Sequence, residues 1–350
     1  MTQRFPPSPR RPTRLLGGAL IALLIASCHR TPPGAEAPTP PPHSGERPRI
    51  ALVMKTLTNP FFIEMEKGAR RAEQALNLDL LVRTAAQETS IAQQIGIVDQ
   101  LIQDRVAAIV IAPGDSVELI PVIKKAQDAG ILVINIDNRL DPELSRKVGL
   151  SVVPFIGVDN AAAAYAAVRT VTAGVDRPTE AAMIEGIPEA TNARDRNLGA
   201  LRAFAETPLI RVVARASAHW KVDEGLTVAR ALFEHHPNIE ILFCANDMMA
   251  IGAMKYLASA GRGEVRVVGY DALEPALAAV RAGRLAATID QQAAAQGYLG
   301  MVSAVKGLHG ETLPAQTLVE TRIITADSLA DAAAAAPTPA LAPPAPPQAQ

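Results

Sequence analysis

"IALVMKTLTNPFF", residues 50–62, reads as a buried strand, a polar turn and the first residues of a helix. Its apolar run shows no alternation, the pattern of a parallel-sheet strand covered on both faces. Asn59 and Pro60 then supply an N-cap and a first helical residue. Two phenylalanines follow at 61 and 62 in a chain with only 3% aromatic residues. Neighbours on a helix point about 100° apart and cannot both sit on one core stripe, so at least one ring is expected to face an open cleft.

The same strand-then-helix unit recurs outward from this stretch. Further strands are expected at "LDLLVRT" (78–84), "AAIVIA" (107–112), "ILVINI" (131–136), "AAMIE" (181–185), "IRVVARAS" (210–217), "EILFCA" (240–245), "VRVVGY" (265–270) and "AATI" (286–289). Helical patterns lie between them at 60–76, 90–103, 117–129, 193–205, 222–235, 247–260 and 292–307. Alternation of this kind predicts an α/β chain with parallel sheets. At 350 residues the chain is too long for one compact core. It divides near "FIGVDN" (155–160) into two similar halves, which implies two doubly wound parallel-sheet lobes.

Both ends stand apart from this body. Arg4, Arg10, Arg11 and Arg14 precede the apolar stretch "LLGGALIALLIA" (15–26), which is short for a membrane span and fits a signal peptide. Ile25-Ala26-Ser27-Cys28 resembles a bacterial lipobox, so residues 1–28 read as a lipoprotein signal peptide, with Cys28 the lipidated residue anchoring the protein to a membrane. A non-lipidated signal or a short membrane anchor is the alternative. Residues 29–47 are rich in proline and read as an extended tether. At the other end, 329–350 is expected to be a disordered Ala/Pro-rich tail.

Composition excludes several functions. A formal net charge of -1 carries no basic excess for nucleic acid. The histidines have no metal-ligand spacing, and His235-His236 before Pro237 reads as a helix end. With Cys28 assigned to lipid, Cys244 is alone and reads as a buried strand residue. No nucleophile elbow, P-loop or dinucleotide fingerprint is present, so no enzyme, metal or cofactor is expected.

Strand ends are more informative, because parallel α/β sheets bind ligands beyond the carboxyl ends of their strands. These ends present Lys55, Asp137, Asn138, Asn246, Asp271 and Gln291. Asn and Asp there also serve as N-caps, the role read for Asp247 and for Asp159 or Asn160, while for Asp137, Asn246 and Asp271 cap and ligand contact stay open. Carboxylates, amides and a lysine match the hydroxyls of a sugar, and Phe61, Phe62 and Trp220 can cover its carbon faces.

These residues also carry a resemblance. "IALVMKTLTNPFF", "AAIVIAPGDSVEL", "GILVINIDNRL", "IEGIPEATNARDR", "FCANDMMAIGAM" and "VRVVGYDALEPALAAVRAGRLAATIDQ" together resemble the ribose/allose branch of bacterial periplasmic sugar-binding proteins, the solute receptors of ABC importers. The resemblance covers about 48–325 and is nearest to allose binders. It implies the type I periplasmic binding protein fold, with the lobes joined by a three-segment hinge near 157–160, 291–292 and 320–322. One lobe would be 48–158 plus 292–320, the other 159–291 plus 321–328. The implied sugar site is Lys55, Asn59, Phe61, Phe62, Asp137 and Asn138 from the first lobe, with Arg194, Trp220, Asn246, Asp271 and Gln291 from the second. Ala112 and Asn138 depart from the ribose pattern, and Asn138 also departs from the acidic residue of allose binders.

The resemblance implies an exported, monomeric receptor that closes on a monosaccharide and passes it to an ABC permease. The same fold serving a chemoreceptor or sensor kinase is the alternative. A repressor of the lactose kind shares the two-lobe core but begins with a helix-turn-helix, where this chain begins with an export signal.

Overall fold

The computed structural model describes residues 47–335. The signal peptide with Cys28, the tether up to residue 46 and the tail from residue 336 lie outside the described residues. The chain runs β1 (Arg49–Met54), α1 (Pro60–Leu76), β2 (Asp79–Thr84), α2 (Ile91–Gln103), β3 (Ala108–Ile111), α3 (Ile120–Asp128), β4 (Leu132–Ile136), α4 (Pro142–Lys147) and β5 (Phe155–Gly157). It continues through α5 (Asn160–Thr172), β6 (Thr179–Glu185), α6 (Thr191–Ala205), β7 (Ile210–Ser217), α7 (Val222–His235), β8 (Ile239–Cys244), α8 (Asp247–Ser259), β9 (Arg266–Val268), α9 (Glu274–Arg281) and β10 (Thr288–Asp290). The last elements are α10 (Ala293–Leu308), β11 (Gln316–Leu318), β12 (Arg322–Ile324) and α11 (Ala326–Ala335).

One sheet is parallel throughout, in the order β11-β5-β4-β3-β1-β2. The residues of β1 explain why both its faces are covered: Ala51 and Val53 join one apolar cluster with Val98 and Ile123, while Ile50, Leu52 and Met54 join the other. Helix α10 packs on α1 at a distance only glycine permits. A Cβ on Gly68 would lie 1.8 Å from the Ala294 carbonyl oxygen, and one on Gly297 2.1 Å from that of Met65.

The second sheet runs β7-β6-β8-β9, also parallel. Backbone bonds from Gly269 N to Ala287 O and from Asp271 N to Ile289 O, each 2.8 Å, extend it to β10, which pairs antiparallel with β12. The chain passes between the sheets three times, at 158–159, 291–292 and 319–321.

Caps are supplied by Asn59 to α1, Asp141 to α4, Asp159 to α5 and Asn246 to α8. Asp247 is therefore not the cap of α8: it is the first helical residue, fully buried, and accepts from Leu273 N and Thr288 Oγ1. Cys244 is buried at the end of β8. A tail beginning at 329 also needs correction, since α11 continues to Ala335 and Leu329 packs against the core. Thr325 and Ser328 exchange side-chain to backbone bonds at its start, a capping box that sets up an alanine-rich helix. Among the described residues no helix is long and apolar enough to cross a membrane.

Candidate functional site

The carboxyl edges of the two sheets face each other across a narrow, partly open cavity with about 230 Å³ of empty space. Lys55, Asn59, Phe61, Phe62, Glu88 and Asp137 line it from the first lobe, and Asn192, Arg196, Trp220, Asn246, Asp271 and Gln291 from the second.

The helix start at Asn59 explains both phenylalanines. Asn59 Oδ1 accepts from Phe61 N at 3.0 Å and its Nδ2 donates to Glu88 Oε1 at 3.0 Å, which fixes the first turn of α1 against the loop after β2. Phe61 and Phe62 then meet edge to face, centroids 5.1 Å apart, and both rings reach the cavity. Lys55 Nζ stands 5.6 Å over the Phe62 ring and 2.8 Å from Asp137 Oδ2.

Arg196 organises the opposite wall. Its guanidinium stacks 3.7 Å from the Tyr270 ring centroid, and it donates to Asn160 Oδ1 at 2.8 Å, Ala245 O at 2.9 Å and Gln291 Oε1 at 3.3 Å. Asp271 Oδ1 lies 3.6 Å from Arg196 Nη1 and accepts from Gln291 Nε2 at 2.6 Å. Trp220 lies flat over Gly186, where a Cβ would come within 2.0 Å of the ring. Asn246 both caps α8 and lines the cavity.

Burial pushes the Asp271 carboxyl well above the usual range, against the pull of Arg196. It raises Glu88 as well, opposed by the Lys55 charge and the Asn59 hydrogen bond. Asp137, Trp220 and Asp271 hold positive φ angles of 63°, 67° and 119°, conformations that ordinary side chains adopt only when their surroundings enforce them. Asp137 Oδ2, Asn192 Oδ1 and Trp220 Nε1 are buried without a hydrogen-bond partner. The Lys55–Asp137 contact is thus an attraction of charges rather than a well-directed hydrogen bond. Together these groups offer a small polyol acceptors and donors that would otherwise stay unpaired.

Two expected residues are not here. Arg194 is exposed and donates to Pro188 O and Thr191 Oγ1, each at 2.9 Å. It sits two positions from Arg196, about 200° around the helix, so the two cannot share a face. Asn138 is buried beneath the cavity wall, its amide donating to Pro113 O at 3.0 Å and its oxygen accepting from Asn192 N at 3.2 Å. Glu88, Asn192 and Arg196 were not anticipated. Arg196 was detectable, because it falls on the stripe of α6 that holds the buried Ala193, Ala200 and Ala203. Glu88 lies in a loop beyond a strand end, where spacing alone carries no signal.

Comparison with known proteins gives a consistent answer. The sequence pattern of a family described as "Periplasmic binding protein domain" matches residues 50–312. The D-ribose/D-allose-binding protein of Pseudomonas aeruginosa is 40% identical over 300 residues, covering 84% of this chain and 91% of that protein. The D-allose-binding periplasmic protein of Escherichia coli K12 is 32% identical over 279 residues, 78% of this chain and 89% of that one. Among solved structures, an ABC transporter periplasmic solute-binding protein from Actinobacillus succinogenes with bound D-allose superposes with a TM-score of 0.78 at 36% identity, covering 81% of this chain and 100% of the other. These relatives are named for binding, and this chain is likewise a binding protein rather than an enzyme. From the match over residues 50–312 and the shared two-lobe architecture, the chain belongs to the periplasmic binding protein family.

Proposed function

We propose that the protein is an exported receptor that closes over one allose- or ribose-like monosaccharide and delivers it to an ABC permease, held at a membrane by lipid on Cys28. The observation that carries the reading is the cleft between the sheets, whose lining combines buried polar atoms without a hydrogen-bond partner on Asp137, Asn192 and Trp220 with the rings of Phe62 and Trp220. A sugar has hydroxyls for the first and carbon faces for the second. The names of the relatives support the sugar class, and the lipobox supports the anchor.

A thermal-shift screen of aldoses and ketoses tests it, since a ligand that binds only the folded state raises the melting temperature. D-Allose or D-ribose should raise it and also change the emission of Trp220, the only tryptophan in the chain. A screen in which no monosaccharide acts, while a nucleoside or amino acid does, would sink the proposal.

A further inference from the structure

Helix α6 begins without a cap of its own. Its N-cap residue is Ala190, whose extended backbone is suited to the position but whose side chain has nothing to accept with. The first N–H groups of a helix find no partner within it. Here they are met from the opposite lobe: Thr191 N donates to Ser116 Oγ at 2.9 Å and Asn192 N to Asn138 Oδ1 at 3.2 Å. Ser116 lies between β3 and α3, Asn138 just after β4.

The two acceptor oxygens of this small network, Ser116 Oγ and Asn138 Oδ1, each take two donors. Ser116 Oγ accepts a second bond from Thr191 Oγ1 at 2.9 Å and gives its own proton to Asn138 Oδ1 at 3.3 Å. Asn138 Oδ1 thereby takes two donors, and its amide is held by Pro113 O. Arg194 braces the far side through Thr191 Oγ1 and Pro188 O. Ser116 and Asn138 are both fully buried, and neither lines the cavity.

We propose that Ser116 and Asn138 are positioning residues that cap α6 across the cleft, so that lobe closure completes a helix terminus and populates the closed state without any contact to ligand. Opening the lobes strips α6 of both acceptors. Because apparent affinity scales with the fraction of protein already competent to bind, the cap also tightens ligand binding. Only this second consequence rests on the sugar-receptor reading.

The test compares wild type, Ser116→Ala, Asn138→Ala, Ala190→Ser and Asn138→Ala with Ala190→Ser as full chains. Without ligand, Ser116→Ala should speed amide exchange at Thr191 and Asn138→Ala that at Asn192, each several-fold, while leaving the distal turns of α6 unchanged. Either should raise the Kd for D-allose about three- to tenfold, the size of an N-cap. An N-cap side chain reaches the second and third amides of its helix, so Ala190→Ser offers Asn192 N an acceptor in its own lobe, and in that background Asn138→Ala should cost less than about twofold in Kd. Unchanged exchange in Ser116→Ala, or the same cost of Asn138→Ala in both backgrounds, overturns the proposal. Should neither D-allose nor D-ribose bind the wild type, the sugar reading fails, and the ligand-free exchange alone decides the cap.

Discussion

Lys55 and Asp137 face each other inside the cleft, Nζ to Oδ2 at 2.8 Å, with their side chains 3% and 2% exposed. Taking two charges out of water is costly, and their mutual attraction offsets that cost only while both are present. The pair therefore ties the stability of the first lobe to the chemistry of its binding wall.

Removing one partner should be far worse than removing both. Lys55→Met leaves a buried carboxylate alone and should cost about 3–5 kcal/mol in urea unfolding, whereas Lys55→Met with Asp137→Leu should restore most of it. Both variants should lose D-allose binding. Additive costs in the double variant would show that the two charges do not depend on each other.

The two arginines of α6 should separate cleanly. Arg196→Met removes three hydrogen bonds and the stack on Tyr270, and should weaken D-allose binding at least about 100-fold by calorimetry. Arg194→Met removes the outer brace on Thr191 and Pro188, away from the cavity, and should weaken binding less than about threefold. Equal losses would contradict the placement of Arg196 in the cavity wall.

Asp247 should make stability fall as pH rises. Burial pushes its carboxyl up to about 7, in spite of the bonds donated by Leu273 N and Thr288 Oγ1. An unfolded aspartate titrates near about 3.9, so between roughly pH 4 and 7 the folded chain holds a proton that the unfolded chain lacks. The contribution is complete below about pH 4 and is lost as pH climbs through about 7. Asp247→Asn keeps the shape without the charge, so its melting temperature relative to wild type should climb between about pH 4 and 7 and level off above that. A difference that stays constant across that range would mean Asp247 ionises freely when folded.

How legible these features were depended on length and on period. The long elements declared themselves: β1 and the whole of α1 and α7 fall where apolar runs and the Asn-Pro start put them. Among the three-residue strands, β9 and β10 fell on the apolar runs "VRVVGY" and "AATI", whereas β5, β11 and β12 did not declare themselves, because "FIG", "QTL" and "RII" carry no such run and two of them are partly exposed. At the site, strand ends pointed to Lys55, Asp137, Asn246, Asp271 and Gln291, all of which line the cavity. Asn138 misled for the opposite reason: it directly follows Asp137, whose positive φ reverses the chain and sends the next side chain inward. The choice between Arg194 and Arg196 needed the register of a helix rather than the identity of a motif.

The three crossings between sheets also govern how the chain is assembled. Strand β5 must wait for β11 to cover its edge, and α1 must wait for α10, which packs on it and on β3 and β4. Strand β10 waits in turn for β12. A nascent chain that stops before residue 293 therefore leaves β3 and β4 without the helix that covers them on the α1 side of the first sheet. Pairings this distant in sequence fold slowly, since the loop must close before any contact stabilises it. Both sheets therefore depend on the segment 293–324 for their completion.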